Sequence, residues 1–154
     1  MSNSVYKKMV LISHRGNITG PDIEKENSLE YIQEALNQGY DVEIDVWCKN
    51  NKLWLGHDFP QYNIDEIWLS LRKKNLWIHC KNIEALSYFS DRLNLFNYFW
   101  HEQDTVTLTS KNYIWAYPGK QPIKNSIAVI PEINGDDVSQ CLGVCSDFIQ
   151  NYKK

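Results

Sequence analysis

Apolar and polar residues follow two different periods along this chain, and the alternation of those periods predicts its secondary structure. The shorter period falls within residues 40–48, where one face of a predicted strand is apolar and the opposite face carries two carboxylates. The apolar face consists of Val42, Ile44 and Val46, and the other face of Glu43, Asp45 and Trp47. We therefore expect a strand that packs against helices on one side and presents polar groups on the other.

Six further segments are rich in β-branched and aromatic residues, which favours strands. Together with residues 40–48 they make seven predicted main strands, the others being 10–14, 76–81, 97–101, 113–117, 127–130 and 144–146. A short strand is predicted at 53–55 and a loop at 59–63. Helical spacing of apolar residues predicts helices at 29–36, capped by Asn27 or Ser28 and ended at Gly39, at 64–71 and at 83–93.

Strands that alternate with helices favour an α/β protein with a parallel sheet. A complete (β/α)8 barrel typically takes about 250 residues. This chain has 154 and leaves no room for a helix between 113–117 and 127–130. We expect one domain over residues 1–154, folded as a trimmed or distorted TIM barrel with about seven main strands. Helices should be missing from its C-terminal half.

The missing helices would leave one side of such a barrel poorly covered, and exposed sheet is usually covered by loops or by a partner chain. Four large aromatic residues lie in that half of the chain: Trp100, Tyr113, Trp115 and Tyr117. They either form the contact surface of a dimer or fill the core of the trimmed barrel. We predict a homodimer that forms through the C-terminal half.

Composition narrows the class of protein only a little. Hydrophobic residues make up 43% of the chain and charged residues 23%, as in an ordinary globular domain. A net charge of -3 does not favour a nucleic-acid surface. The N-terminal residues hold no signal-peptide pattern, and no apolar run approaches the ~20 residues that span a bilayer. We expect no membrane span, a cytoplasmic location, and four cysteines that remain reduced thiols without a zinc site.

Polar residues capable of catalysis gather at the ends of the predicted strands, where parallel α/β folds carry their active sites. All four histidines lie at or near such ends: His14, His57, His79 and His101. Glu43 and Asp45 project from the same face of one strand, and two buried carboxylates need a cation to balance them. Oxygen ligands favour Mg2+, Ca2+ or Mn2+ over zinc. The alternative is a pair of exposed carboxylates on an edge strand, which the apolar alternation disfavours.

The segment His14-Arg15-Gly16 places a proton-transfer group beside a permanent cation that is suited to binding phosphate. His57 supplies a second proton-transfer group on the loop after Gly56. Two histidines, an arginine and a metal ion form a recognisable arrangement for phosphoryl transfer. One imidazole takes a proton, the other gives one, and the cations stabilise charge on the phosphate oxygens.

Four short motifs resemble, in order and spacing, those of the glycerophosphodiester phosphodiesterases, in the superfamily that includes phosphatidylinositol phospholipase C. They are Ser13-His14-Arg15-Gly16, Glu26-Asn27-Ser28, residues 42–46 and Gly56-His57-Asp58. The resemblance covers residues 10–58 and implies a TIM-barrel enzyme that hydrolyses a small phosphodiester, such as a glycerophosphodiester or a sugar-linked one. The subdomain that many family members insert after the His-Asp motif is absent here.

The resemblance also implies roles for individual residues. His14 and His57 are the catalytic pair, Glu43 and Asp45 bind one divalent cation, Mg2+ or Ca2+ with Mn2+ as a third candidate, and Arg15 binds phosphate. Lys81 matches a family lysine that binds phosphate, while His79 stands where the family has a third metal-binding glutamate. Either His79 or Glu26 would then complete the metal site. Trp115 resembles a tryptophan of the pocket wall, and residues 143–148 resemble the last strand of the family.

Two other functions remain open from the sequence. A catalytically inactive module could keep the fold and bind a phosphodiester or a phosphate without hydrolysing it. A different metal hydrolase could use the same carboxylates on another ester. The position of His79 relative to the pocket distinguishes the first of these from an enzyme, because an imidazole that pointed away would leave the metal site incomplete.

Overall fold

The computed structural model describes residues 8–92 and 94–154, and these residues contain ten strands and three α-helices. Two parts of the chain lie outside the described residues. They are residues 1–7, to which the expected absence of a signal peptide refers, and Leu93, the predicted end of the third helix. The strands are β1 (Val10–His14), β2 (Asp41–Lys49), β3 (Lys52–Leu55), β4 (Tyr62–Ile64), β5 (Leu76–Cys80), β6 (Asn97–Trp100), β7 (Val106–Leu108), β8 (Ile114–Ala116), β9 (Ser126–Val129) and β10 (Gly143–Ser146).

The three helices are α1 (Leu29–Asn37), α2 (Glu66–Arg72) and α3 (Ile83–Ser90), and two short 3-10 helices follow at Pro131–Ile133 and Ile149–Tyr152. Each α-helix begins at a polar side chain that accepts a hydrogen bond from a backbone N–H of its first turn. These caps are Ser28, Asp65 and Asn82. Ser28 is thus the cap of α1, and α2 begins two residues later than predicted because Asp65 provides its cap.

All seven predicted main strands are present, and they run parallel in the order β6-β5-β2-β1-β10-β9-β8. The predicted loop at 59–63 is partly wrong, because residues 62 and 63 begin β4, which pairs antiparallel with β3. β7 was not predicted and pairs antiparallel with β8. Each of these two additional strands has only three residues, too few to show a period of their own.

The sheet curls so that its two ends approach each other. Beyond β8, the β7 strand and the turn after it come close to β6 at the other end of the sheet. The hydroxyl of Thr107 donates to the Trp100 carbonyl at 3.1 Å, and the backbone N–H of Ser110 donates to the Tyr98 carbonyl at 2.8 Å. The described residues therefore form a mixed α/β fold with a curled sheet, and all three α-helices precede residue 91.

Two apolar clusters lie on opposite faces of this sheet. The outer cluster packs the apolar face of β2 against the helices, through buried side chains that include Ile32 of α1, Ile44 of β2 and Phe89 of α3. The inner cluster lies inside the curl and consists of Ile12, Trp77, Phe99, Trp115, Ile127, Val129 and Cys145. Because side chains alternate along each strand, the polar face of β2 is turned toward the inner cluster.

The aromatic residues of the C-terminal half pack into these two clusters. Trp115 is 1% exposed, while Tyr113 and Tyr117 pack against the inner cluster and Trp100 against the outer one. Of the two hypotheses for these rings, the structure thus agrees with filling of the core. None of the helices in the described residues has the length and apolar character needed to cross a membrane.

The inner cluster should contribute strongly to stability, and Trp115 is its largest fully buried side chain. Its indole stacks on Trp77 with ring centroids 5.6 Å apart and lies 4.8 Å from Phe99. We expect Trp115→Ala to lower the free energy of unfolding by about 3–5 kcal/mol in a urea titration. Ile67→Ala, at a side chain that is 69% exposed, is the control and should change it by less than about 0.5 kcal/mol. Equal effects in the two variants would contradict the packed inner cluster.

Candidate metal centre and active site

Three neighbouring parallel strands bring the predicted site residues side by side. The last residue of β1, His14, is in register with Glu43 of β2, and Asp45 of β2 is in register with His79 of β5. Side chains in register on parallel strands share one face of the sheet. This face is the inner one, so the curl of the sheet turns all four groups toward one another.

Glu43, Asp45 and His79 form a group of possible ligand atoms, with one donor atom from each lying within 4.8 Å of the others. The three residues are 2%, 0% and 8% exposed. His79 Nδ1 lies 3.1 Å from Asp45 Oδ1 and 3.9 Å from Glu43 Oε1. Hence His79 points into the site, and these three residues are the candidate metal ligands.

Two buried carboxylate oxygens in this group, Glu43 Oε2 and Asp45 Oδ1, have no hydrogen-bond partner. A buried polar atom without a partner is costly, and a buried charge is more so. A divalent cation held by the two carboxylates and the imidazole would satisfy both oxygens and balance their charge. The donor set and its unsatisfied oxygens therefore fit a metal ion.

The two carboxylates differ in their protonation. Burial raises the pKa of the Glu43 carboxyl, and the neighbouring Asp45 raises it further. Burial acts on Asp45 in the same direction, but the imidazoles of His57 and His79 and the guanidinium of Arg15 hold the pKa of Asp45 well below its usual range. Asp45 is therefore the permanent anion of the pair, and a cation near both groups would favour ionisation of Glu43 as well.

Asp45 is held in place by two residues of the β1–α1 segment. Asn27 donates from Nδ2 to Asp45 Oδ2 at 2.9 Å and accepts from the Asp45 backbone N–H at 3.0 Å. Arg15 Nε lies 3.2 Å from the same Oδ2 atom. These contacts occupy Oδ2 and leave Oδ1 facing His79, so the orientation of Asp45 is set before any ligand binds.

His14 is paired with Asp147, the residue that follows β10. His14 Nδ1 donates to Asp147 Oδ1 at 2.7 Å, and Asn17 Nδ2 donates to the same oxygen at 2.9 Å. Burial lowers the pKa of His14, but the Asp147 hydrogen bond and the Glu43 charge outweigh it and raise the pKa. Because Nδ1 carries the bonded proton, Nε2 is the free nitrogen, and it lies 3.7 Å from Glu43 Oε2.

His57 reaches the site from a strand that runs back along β2. Because β3 is antiparallel to β2, the chain returns to the level of Asp45, where the Gly56 N–H donates to the Asp45 carbonyl at 3.1 Å. Gly56 has φ 153°, and a Cβ there would lie 2.0 Å from the Phe59 carbonyl oxygen. The turn therefore requires glycine. It brings the His57 Nδ1 to 3.5 Å from Asp45 Oδ2 and its Nε2 to 3.4 Å from the Arg15 guanidinium.

A cavity of about 460 Å³ opens in front of these groups. Seven predicted site residues line it: His14, Arg15, Glu43, His57, His79, Lys81 and Trp115. Asp45 is fully buried and does not line the cavity itself. Glu26 is not one of the three clustered metal ligands, because its carboxylate accepts hydrogen bonds from Arg15 at 3.2 Å and Asn17 at 2.9 Å.

The sequence left several residues of this site without a role. Asn17 and Asn27 orient the carboxylates of Asp147 and Asp45, and Tyr117 lines the cavity beside His101. Burial, together with His79, lowers the pKa of His101 to about 4, and its ring stacks on Tyr117 with centroids 3.7 Å apart. Asp147 could have been assigned a role from the sequence. It directly follows a predicted strand, and His14 was chosen because it lies at the end of a predicted strand.

No protein-family model matches this chain, and no curated protein resembles it closely enough to be counted as a match.

Proposed function

We propose that this chain is a metal-dependent phosphodiesterase that hydrolyses a small phosphodiester, for example a glycerophosphodiester or a sugar-linked one. One observation carries the proposal: a single cavity is lined by four imidazoles, a guanidinium and an ammonium group beside a buried pair of carboxylates. Histidines that transfer protons, cations that bind phosphate and ligands for a divalent ion are the groups that this reaction needs. The four motifs similar to those of the glycerophosphodiester phosphodiesterases agree with the same chemistry.

The fold supports this proposal, and we also propose that the fold is a trimmed TIM barrel. Seven strands run parallel, and the candidate site lies toward the carboxyl ends of β1, β2 and β5 and just after β10, as in barrel enzymes, with apolar side chains filling the interior below it. Helices cover the strands of the N-terminal half only, since no α-helix follows residue 90 in the described ranges. A barrel with one side stripped of helices would show this arrangement.

In the proposed reaction His14 and His57 exchange protons with the substrate. The Asp147 hydrogen bond keeps the proton on His14 Nδ1, so that Nε2 is free to take a proton from the nucleophile or to give one to the leaving oxygen. His57 stands on the other side of Asp45, with its Nε2 facing Arg15. Arg15 and Lys81 hold the phosphate oxygens, and a divalent ion bound by Glu43, Asp45 and His79 would supply further stabilisation of negative charge.

A panel of esters tests the reaction class. We expect the purified chain to hydrolyse bis-p-nitrophenyl phosphate and members of a glycerophosphodiester panel once a divalent metal is added, and to lose this activity in a chelator. A phosphate monoester and a carboxylester dye should be poor substrates. If the monoester or the carboxylester were cleaved faster, the chain would be a different metal hydrolase. If a phosphodiester bound but was not hydrolysed with any metal, the chain would be an inactive binding module.

Asp147 should act by positioning His14 without touching the substrate. Asp147→Asn replaces the acceptor that holds the His14 proton on Nδ1, so we expect turnover to fall by about 10- to 1,000-fold. KM should change little, because Asp147 lies behind the imidazole. Steady-state kinetics would check this, with Asp136→Asn as a control at a carboxylate that accepts a hydrogen bond from the Gly119 N–H. A change in KM alone would contradict the positioning role.

The homodimer through the C-terminal half stays a prediction. Its original support is weaker, since the aromatic rings that were to form the contact pack into the cores. Exposed apolar residues remain on β7, where Val106 is 39% and Leu108 57% exposed. Light scattering at several concentrations would measure the mass directly. A constant mass near 18.1 kDa would show a monomer and contradict the dimer.

A further inference from the structure

His79 is hydrogen-bonded in a way that leaves one ring nitrogen as an electron-pair donor. Its Nε2 lies 3.2 Å from the backbone carbonyl oxygen of His101. A carbonyl oxygen can only accept, so Nε2 must carry a proton and donate. In a neutral imidazole Nδ1 then carries the lone pair. A hydrogen bond from the outer nitrogen to a backbone carbonyl is the usual support of a metal-binding histidine.

The lone pair of Nδ1 faces atoms that also cannot donate. Nδ1 is 3.1 Å from Asp45 Oδ1, a buried carboxylate oxygen with no hydrogen-bond partner. Glu43 Oε2 has no partner either and faces the free nitrogen of His14. Three acceptors in a space less than 5 Å across repel one another unless a positive charge lies among them. A divalent metal ion held by the three groups would supply that charge.

The chemical nature of the three donors bears on which metal ion they prefer. Carboxylates alone suit Mg2+, Ca2+ and Mn2+, whereas an imidazole nitrogen favours Fe2+, Ni2+, Cu2+ and Zn2+. We infer that His79 gives this site a preference for a divalent transition ion, from Fe2+ to Zn2+, over Mg2+ and Ca2+. The inference rests on the metal centre of the proposed function and departs from the Mg2+ or Ca2+ that the two carboxylates alone predict.

Calorimetry on the metal-free chain measures the preference without any reaction. Titration with MgCl2, CaCl2 and ZnCl2 should show Zn2+ binding at least about tenfold more tightly than Mg2+ and Ca2+. Equal affinities, or tighter binding of Mg2+ or Ca2+, would overturn the inference. If no ion bound, the inference would also fail.

Because carboxylates also bind transition ions better than Mg2+, a substitution isolates the contribution of His79. His79→Glu supplies a third carboxylate in place of the imidazole, and we expect it to lower the ratio of Zn2+ to Mg2+ affinity by about tenfold or more. His101→Glu is the matched control, since it adds a carboxylate to the same cavity outside the three ligands. It should affect both ions alike, and a ratio unchanged by His79→Glu would overturn the inference.

A spectroscopic test on the wild-type chain covers the case in which His79→Glu does not fold. The chain has four histidines, so long-range 1H–15N spectra can assign each ring nitrogen. On addition of Zn2+ the Nδ1 resonance of His79 should shift while Nε2 keeps its proton. An unchanged Nδ1 under saturating Zn2+ would overturn the inference. These measurements stand apart from hydrolysis, so an inactive chain could still show the predicted preference, and an active one could lack it.

Discussion

Asp45→Asn is expected to weaken binding of divalent metal by more than about 100-fold and to abolish phosphodiesterase turnover. Asp45 is fully buried and carries the permanent negative charge of the carboxylate pair. Asparagine keeps the shape and the contacts with Asn27 but removes that charge. The fold should survive, because the lost attraction to Arg15 is offset by relief of the repulsion between Asp45 and Glu43.

Calorimetry and circular dichroism of the same variant separate binding from folding. Asp41→Asn is a matched control, since Asp41 lies on the same strand but accepts hydrogen bonds from Asn75 and Trp77, away from the metal ligands. It should leave metal affinity unchanged. Unaltered affinity in Asp45→Asn would show that the carboxylate pair is not the metal site.

His14→Ala and His57→Ala should each lower turnover by about 10²–10⁴-fold, the usual contribution of general acid-base catalysis. His14 presents a free Nε2 because Asp147 holds the proton on Nδ1, and His57 lies near Arg15 at the opposite side of Asp45. Each variant loses one of two different proton transfers. The turnover of the double variant should therefore be no higher than that of the less active single variant. Both single variants should keep their metal affinity.

His101→Ala is the comparison that makes this assignment testable. His101 lines the same cavity, but its ring stacks on Tyr117 and its pKa is lowered to about 4 by burial and by His79. A group that stays neutral near pH 7 is a weak acid catalyst, so its loss should reduce turnover less than the loss of His14. Single-turnover measurements would compare the three. A His101 variant as inactive as the His14 variant would overturn the choice of pair.

The main strands were predictable because β-branched and aromatic residues are concentrated in them. Residues 42–46 alternate between apolar and acidic side chains, and the structure places the apolar members against the helices. β4 and β7 were missed, and their pairing is decided by neighbours across the sheet. Likewise the end of the curl, where Thr107 meets Trp100, depends on contacts that no local pattern encodes.

The candidate site was predictable only as far as its residues lie at the ends of strands. The sequence indicates Glu43 and Asp45 as a pair on one strand face, and register then adds His79 beside Asp45. The sequence left Glu26 and His79 as alternatives for the residue that completes the metal site. The tertiary structure turns Glu26 toward Arg15 and Asn17, and it brings His79 within 3.1 Å of Asp45.

By itself the sequence determined the seven main strands, the approximate extents of the helices and the residue types at each strand end, because these depend on neighbours within a few positions. Only the tertiary structure decided which groups meet: Asp147 lies 133 residues from His14 yet holds its proton, and the carbonyl of His101 sets which nitrogen of His79 is free. Reactivity depends on such pairs, since a proton or a metal ion responds to atoms a few ångströms away in space. The pairing of β1 with β10 and of β5 with β6 brings these distant segments together.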